Sequence, residues 1–162
     1  MVVNSFSKYY AMTGWRLGWL LVPSELRRAV ECLTGNFTIC PPALSQLAAL
    51  AAFTPEATAE ADGHLHHYAT NRTLLLDGLR RIGIDRLAPT DGAFYVYADV
   101  SDFTSDSRAF CSKLLADTGV AIAPGIDFDT ARGDSFVRLS FAGPTGDIEE
   151  AVRRFGSWLS AG

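Results

Sequence analysis

From Glu56 to Ile82 the chain carries an uninterrupted helical pattern, with Leu65, Tyr68, Leu75, Leu76 and Leu79 as its apolar stripe and Gly83 as its stop. A helix this long bridges two lobes. We therefore place a boundary inside it, near Asn71, which divides the 162 residues into segments 1–71 and 72–162.

On either side of this helix, strand and helix patterns mix. VVNSF reads as the end of a strand and RLGWLLVP as a second strand closed by Pro23. Ser24 can cap a helix in which Leu26, Ala29, Val30 and Leu33 fall on one face. GNFTICPP reads as a loop, because the double proline blocks a helix there. Leu44, Leu47, Ala48 and Ala51 mark a second helix. Beyond Gly83, AFYVYADV, VAIAP and DSFVRLSFA read as strands. Residues from about Ser105 to Thr118 form a helix with Phe110, Cys111, Leu114 and Leu115 inward and Gly119 as its stop. GDIEEAVRRFGSWL closes the chain as an amphipathic helix. This mixture gives an α/β or α+β class.

Composition narrows the function. Hydrophobic residues make up 48% and charged residues 20%, enough apolar material for a sizeable core. The net charge is −4 and the arginine pairs are scattered, so no basic footprint for nucleic acid exists. The apolar run LAALAAF is too short to cross a bilayer. Cys32, Cys40 and Cys111 are odd in number and lack metal-type spacing, which fits reduced thiols in a cytoplasmic protein. His64 and His67 share a helix face, but no carboxylate completes a zinc set there, so no metal is expected.

The chemistry concentrates in NSFSKYYAMTGWRLGW. A lysine becomes a catalyst when its amine forms a Schiff base with a carbonyl, and pyridoxal phosphate offers one. Lys8 has the hydroxyls of Ser5 and Ser7 beside it, and Arg16 can grip a phosphate bidentately. Gly14 and Gly18 would let the backbone come close. Read without that cofactor, Lys8 is a solvated residue at a strand end. SFSK also matches the S-x-x-K pattern of serine β-lactamases, with Ser5 as nucleophile, yet the S-D-N and K-T-G triplets that accompany it do not occur.

Arg138 lies in a strand whose alternation puts Val137, Leu139 and Phe141 on one face and Phe136, Arg138 and Ser140 on the other. If buried, its guanidinium needs an anion such as a substrate carboxylate; on an edge strand it would face water. Gly92 in PTDGAFYVY is available for a positive φ at a strand entrance, where a ligand can approach closely. APGIDF is a similar loop. Asp99 and Asp102 flank a strand end and read as caps or solvent groups.

SFSKYYAMTGWRLGW resembles the cofactor-lysine signature of class I/II aminotransferases, the fold type I pyridoxal-phosphate enzymes. PPALSQLAALAAF, PTDGAFYVYADVS, VAIAPGIDF, SFVRLSFAG and the closing helix follow in that family's order, so the resemblance covers essentially the whole chain. It implies the C-terminal part of such an enzyme: residues 1–71 as the tail of the large cofactor domain and 72–162 as the small α+β domain. It implies that Lys8 is the Schiff-base lysine and proton carrier, and that Ser5, Ser7 and Arg16 bind the cofactor phosphate. Arg138 would bind the substrate α-carboxylate, and Gly92 would line the substrate pocket. The implied reaction moves an amino group between an amino acid and a 2-oxo acid in a homodimeric parent; lyase or decarboxylase chemistry of the same fold is the close alternative.

Two departures stand out. Asp129 follows Phe128 where the family commonly has glycine. The family is also more than twice as long, and it places a pyridine-nitrogen aspartate, a ring-stacking aromatic and a phenolic-oxygen partner upstream of the lysine, where only MVVNSFS stands. The expectation is a fragment with little activity by itself and with open strand edges, and a non-catalytic, self-associating domain is the second class of reading.

Overall fold

The helical pattern of 56–82 is realised as one helix, Pro55–Arg81, in the computed structural model, which describes residues 1–161. At about 1.5 Å per residue it is roughly 40 Å long. Gly83, at φ +88°, turns the chain out of it. The protein separates into two compact units, Met1–His66 and His67–Gly162, divided within this helix.

In the first unit, β1 (Val2–Ser5) pairs antiparallel with β2 (Gly18–Leu21), Val2 opposite Leu21 and Ser5 opposite Gly18. Helices α1 (Ser24–Phe37) and α2 (Ala43–Ala51) follow, and then α3, the long helix. The buried cluster is small: Phe6, Met12 and Ala49, with Tyr10, Leu17, Ala48 and Ala52 packed against it.

Two local expectations are corrected here, and α2, a helix as expected, shows which of its faces is covered. Ser24 is the first helical residue, after Pro23, and its hydroxyl bonds to Glu25 instead of capping the helix. Helix α1 continues through Gly35, Asn36 and Phe37, because proline arrives only at Pro41 and Thr34 still receives the amides of Thr38 and Ile39. Helix α2 turns its small residues inward: Ser45 and Ala49 are buried, whereas Leu44 and Leu47 are 77% and 66% exposed. Small side chains let the helix approach the Phe6–Met12 loop closely, and the leucines then point away.

The second unit holds a three-stranded antiparallel sheet of order β3–β5–β4, from Tyr95–Asp99 (β3), Ala123–Pro124 (β4) and Phe136–Ser140 (β5). Helix α4 (Ser107–Thr118) starts at Asp106, whose carboxylate accepts from the Ala109 amide at 3.0 Å, and ends at Gly119 in the left-handed conformation. Helix α5 spans Thr145–Ala161.

One face of the sheet, Val96, Ala98, Val137 and Leu139, joins Leu75 and Leu79 of α3, Phe110, Cys111 and Leu114 of α4, and Ile148, Val152 and Phe155 of α5 in a continuous core. Each fully buried aliphatic or aromatic side chain there contributes about 1.5–3 kcal/mol. Leu115 lies outside this core, about half exposed, because one step along the helix from Leu114 rotates it to the solvent side. Burial holds the Cys111 thiol up at about 11.

A buried polar anchor completes the unit. Asn71 is fully buried and its amide donates to the carbonyls of Phe141 (3.1 Å) and Gly143 (2.8 Å), while its oxygen accepts from the Thr145 hydroxyl (2.7 Å). It thus fixes the turn from β5 into α5. Among the described residues no helix is long and apolar enough to cross a membrane, and no cluster of His, Cys, Asp or Glu could hold a metal ion.

Candidate active site

Ser5, Ser7, Lys8 and Arg16 lie on the excursion between β1 and β2. Its shape follows from two buried side chains. Phe6 packs on Tyr10 and Phe53, with ring centroids 5.0 and 5.7 Å away, and Met12 is buried with it. Backbone bonds close the loop over them: the Phe6 amide donates to Leu17, the Met12 amide to Phe6, and the Ala11 amide to Lys8. With residues 6 and 12 inward, the polar residues between and after them are displayed.

The hydroxyls of Ser5 and Ser7 are brought together, Ser5 Oγ donating to Ser7 Oγ at 2.8 Å while the Ser7 amide donates back to Ser5 Oγ at 3.0 Å. The Arg16 guanidinium donates through Nη1 to the Thr13 carbonyl at 2.9 Å. Arg16 caps the 3-10 turn Thr13–Trp15 at φ 51°, ψ 50°, a left-handed conformation that costs a non-glycine residue on the order of 1 kcal/mol. Such strain persists only where the surroundings enforce it.

The two glycines differ. A Cβ on Gly18 would stand 2.6 Å from the Asn4 carbonyl oxygen, so this glycine serves the β1–β2 pairing. Gly14 meets nothing within 4 Å and leaves one side of the loop open. Next to Lys8, the Tyr9 hydroxyl donates to Asp62 on α3 at 2.8 Å, and that bond to a carboxylate raises the phenol above its ordinary range. Two hydroxyls, a guanidinium and a lysine amine thus share one excursion, and groups of these types could hold a phosphate ester carrying a carbonyl.

Arg138 belongs to the second unit, on β5. The edge-strand alternative fails: β5 is the central strand, with Arg138 between Tyr97 of β3 and Ala123 of β4. The guanidinium carbon lies 4.2 Å from the centre of the Tyr95 ring and 4.1 Å from that of Phe128. Two aromatic rings against one half-buried, planar cation leave its N–H rim to seek an acceptor. Among the described residues no ion pair engages it.

Gly92 sits in the turn before β3 without a positive φ; the left-handed position falls one residue later, on Ala93 at φ 58°. No atom lies within 4 Å of a Cβ built on Gly92, so what it contributes is open space. Gly125, in APGIDF, does a packing job: an added Cβ would meet the carbonyl oxygens of Gly133 and Phe136 at 2.6 Å. Asp129 has a role of its own. Its carboxylate accepts the amides of Ala131 and Arg132, which hold it below the usual carboxylate range and close the turn after Phe128.

Asp99 and Asp102 both pair with Arg86, at 3.1 and 2.8 Å. The hydroxyl and amide of Ser101, with Arg86, hold Asp99 down at about 2. His64 lies 4.0 Å from Glu60, and His67 reaches the Gly143 carbonyl and Asn71.

Residues 1–155 match the family described as aminotransferase class I and II. The chain belongs to that family. It is 88% identical over 159 residues to valine–pyruvate aminotransferase of Mycobacterium tuberculosis, covering 98% of this chain and 41% of that protein. It is 35% identical over 160 residues to (5-formylfuran-3-yl)methyl phosphate transaminase of Methanocaldococcus jannaschii, covering 99% and 42%. A crystal structure of an aminotransferase from Mycobacterium tuberculosis superposes with a TM-score of 0.97 at 87% identity, over 99% of this chain and 42% of that one. The chain thus spans about two fifths of the length of these aminotransferases and corresponds to their C-terminal part.

Several residues of this aminotransferase segment escaped sequence reasoning. The Thr13 hydroxyl donates to the Ser7 carbonyl at 2.6 Å. The buried Ser45 hydroxyl reaches from α2 to the Trp15 carbonyl at 2.6 Å and anchors the 3-10 turn. Tyr95 and Phe128 sandwich Arg138. The tyrosine could have been found from its place across the strand pair from Ser140, two residues from Arg138. The hydroxyl-to-carbonyl bonds leave no signal in a single sequence.

Proposed function

We propose that the chain is the part of a pyridoxal-phosphate-dependent aminotransferase that carries the cofactor lysine and the arginine for the substrate carboxylate. In this reading residues Met1–His66 belong to the large cofactor domain and His67–Gly162 form the small domain. The observation that carries it is the match to the family over residues 1–155, in a chain whose β1–β2 excursion ties Ser5 to Ser7 and, through Thr13, Ser7 to Arg16, with Lys8 next in sequence to Ser7.

Bound there, pyridoxal phosphate would supply an electron sink for bonds at the amino acid α-carbon. Ser5, Ser7 and Arg16 would hold its phosphate, and the Lys8 Nζ would hold its carbonyl carbon. Once released, the same amine moves the proton at the substrate α-carbon. Arg138 takes the α-carboxylate on its N–H rim, and Gly92 leaves room for the substrate. The 88% identity to a protein named for valine and pyruvate supports those two as the amino donor and the 2-oxo acid acceptor. The parent is proposed to be a cytoplasmic homodimer. The 162 residues alone, two fifths of a relative's length, are proposed to turn over little.

The test uses the fact that the chain contains only two lysines, Lys8 and Lys113. Lys113 pairs with Asp117 on α4 and serves as an internal control. The chain is incubated with pyridoxal phosphate, reduced with borohydride, digested and mapped by mass spectrometry. Modification at Lys8 and its loss on Arg16→Ala are expected. Equal modification of both lysines, or none, would overturn the assignment.

A further inference from the structure

We infer that Thr13 is a positioning residue for the phosphate donors, an inference that rests on the reading of Ser5, Ser7 and Arg16 just given. Thr13 acts in two directions at once. Its hydroxyl donates to the Ser7 carbonyl at 2.6 Å, fixing the backbone immediately before Lys8, and its own carbonyl accepts from Arg16 Nη1 at 2.9 Å, fixing the guanidinium.

Ser7 is in turn tied to Ser5 through both its amide and its hydroxyl. The donors therefore form one hydrogen-bonded series, Ser5–Ser7–Thr13–Arg16, in which Thr13 links the serines to the arginine. Thr13 is itself held: it opens the 3-10 turn whose Trp15 carbonyl is gripped by Ser45, and whose Trp15 amide donates to the carbonyl of buried Met12.

The arithmetic of donors shows what the arrangement preserves. The guanidinium has five N–H bonds and spends one on Thr13, so the rest keep a set orientation. Ser5 spends its proton on Ser7, so the Ser7 hydroxyl keeps its own proton to donate. A phosphate bound by these groups meets donors that are already tethered, and the ordering cost of binding falls. Thr13 touches neither cofactor nor substrate in this account; it sets where the groups that do so stand.

The experiment compares Thr13→Val, which keeps the shape and removes the hydroxyl, with Thr13→Ser, which restores it. Each chain is titrated with pyridoxal phosphate and, separately, with phosphate-free pyridoxal, and borohydride-fixed Lys8 is quantified by mass spectrometry. Thr13→Val is expected to need about fivefold more pyridoxal phosphate for half-modification, with the pyridoxal curve and the Thr13→Ser variant within about twofold of the wild type. If Thr13→Val overlays the wild type, or shifts equally with both aldehydes, Thr13 has no phosphate-directed role, while the reading of Lys8 and Arg16 stands. If the unmodified chain fails to label Lys8, or Arg16→Ala labels it as well as the wild type does, that reading falls and takes this inference with it.

Discussion

Leu79 on α3, Leu114 on α4 and Phe155 on α5 are sealed inside the unit His67–Gly162, whereas Leu33 and Phe37 on α1 and Leu44, Leu47 and Leu50 on α2 lie open in the unit Met1–His66. Both sets belong to helices with apolar stripes. In the second unit three helices and a sheet meet around one core. In the first, a two-stranded sheet and two helices close over little more than Phe6, Met12 and Ala49. A two-stranded ribbon alone is marginal in water. Periodicity says which face of an element is apolar; it does not say whether a partner exists to cover that face. The same contrast separates the candidate residues: Lys8 and Arg16 stand on the lightly built unit, and Arg138 stands on the central strand of the closed one.

The comparison can be broken most directly in the closed core. Phe155→Ala should cost about 3–5 kcal/mol, read as a lower denaturant midpoint of the cooperative transition; a loss no larger than that of a surface substitution would deny the unit its continuous core. Asn71→Ala should cost about 2–3 kcal/mol, because the carbonyls of Phe141 and Gly143 lose their buried donor. Thermal melts of this variant and of Thr145→Val would show whether the anchor acts through the β5–α5 turn.

Acid should weaken the same unit. Asp99 is held at about 2, below its ordinary value near 4, first by the hydroxyl and amide of Ser101 and then by Arg86, so these bonds stabilise fully above about pH 4 and are lost as pH falls through 2. Ser101→Ala combined with Arg86→Gln should flatten that part of the stability–pH curve more than Arg86→Gln alone, measured by denaturation at successive pH values. The smallest effect belongs to the open unit. Leu44→Gln with Leu47→Gln should change stability by under about 0.5 kcal/mol and reduce binding of a hydrophobic dye. A large loss of stability would mean that these leucines are covered after all.

How much could be read beforehand follows the same division. The span of α3, the alternation of Val137, Leu139 and Phe141 against Arg138, and the Gly119 stop were legible, because each is a local period or a local backbone need. The inward face of α2 was not, since Leu44 and Leu47 outweigh Ser45 and Ala49 in hydrophobicity, and only the close approach of the Phe6–Met12 loop favours the small side. The candidates Lys8 and Arg16 were legible only through the family signature that SFSKYYAMTGWRLGW resembles, since residue type and spacing alone also fit a solvated strand end. Thr13 and Ser45, which hold that loop, act through bonds to backbone carbonyls whose partners the linear order does not mark. The left-handed turn at Ala93 instead of Gly92 shows that residue preference is only one vote in a loop's geometry.

The three cysteines turn this uneven architecture into a clock. Cys32 and Cys40 are exposed on the first unit, while Cys111 is buried in the second with its thiol held up at about 11. Alkylation consumes thiolate and requires access, so the first two react at the pace of the reagent and the third at the pace of its unit's opening. A single alkylation time course, resolved by mass, therefore carries its own internal standard: two fast additions time the chemistry, and the lag before the third times the opening of the core.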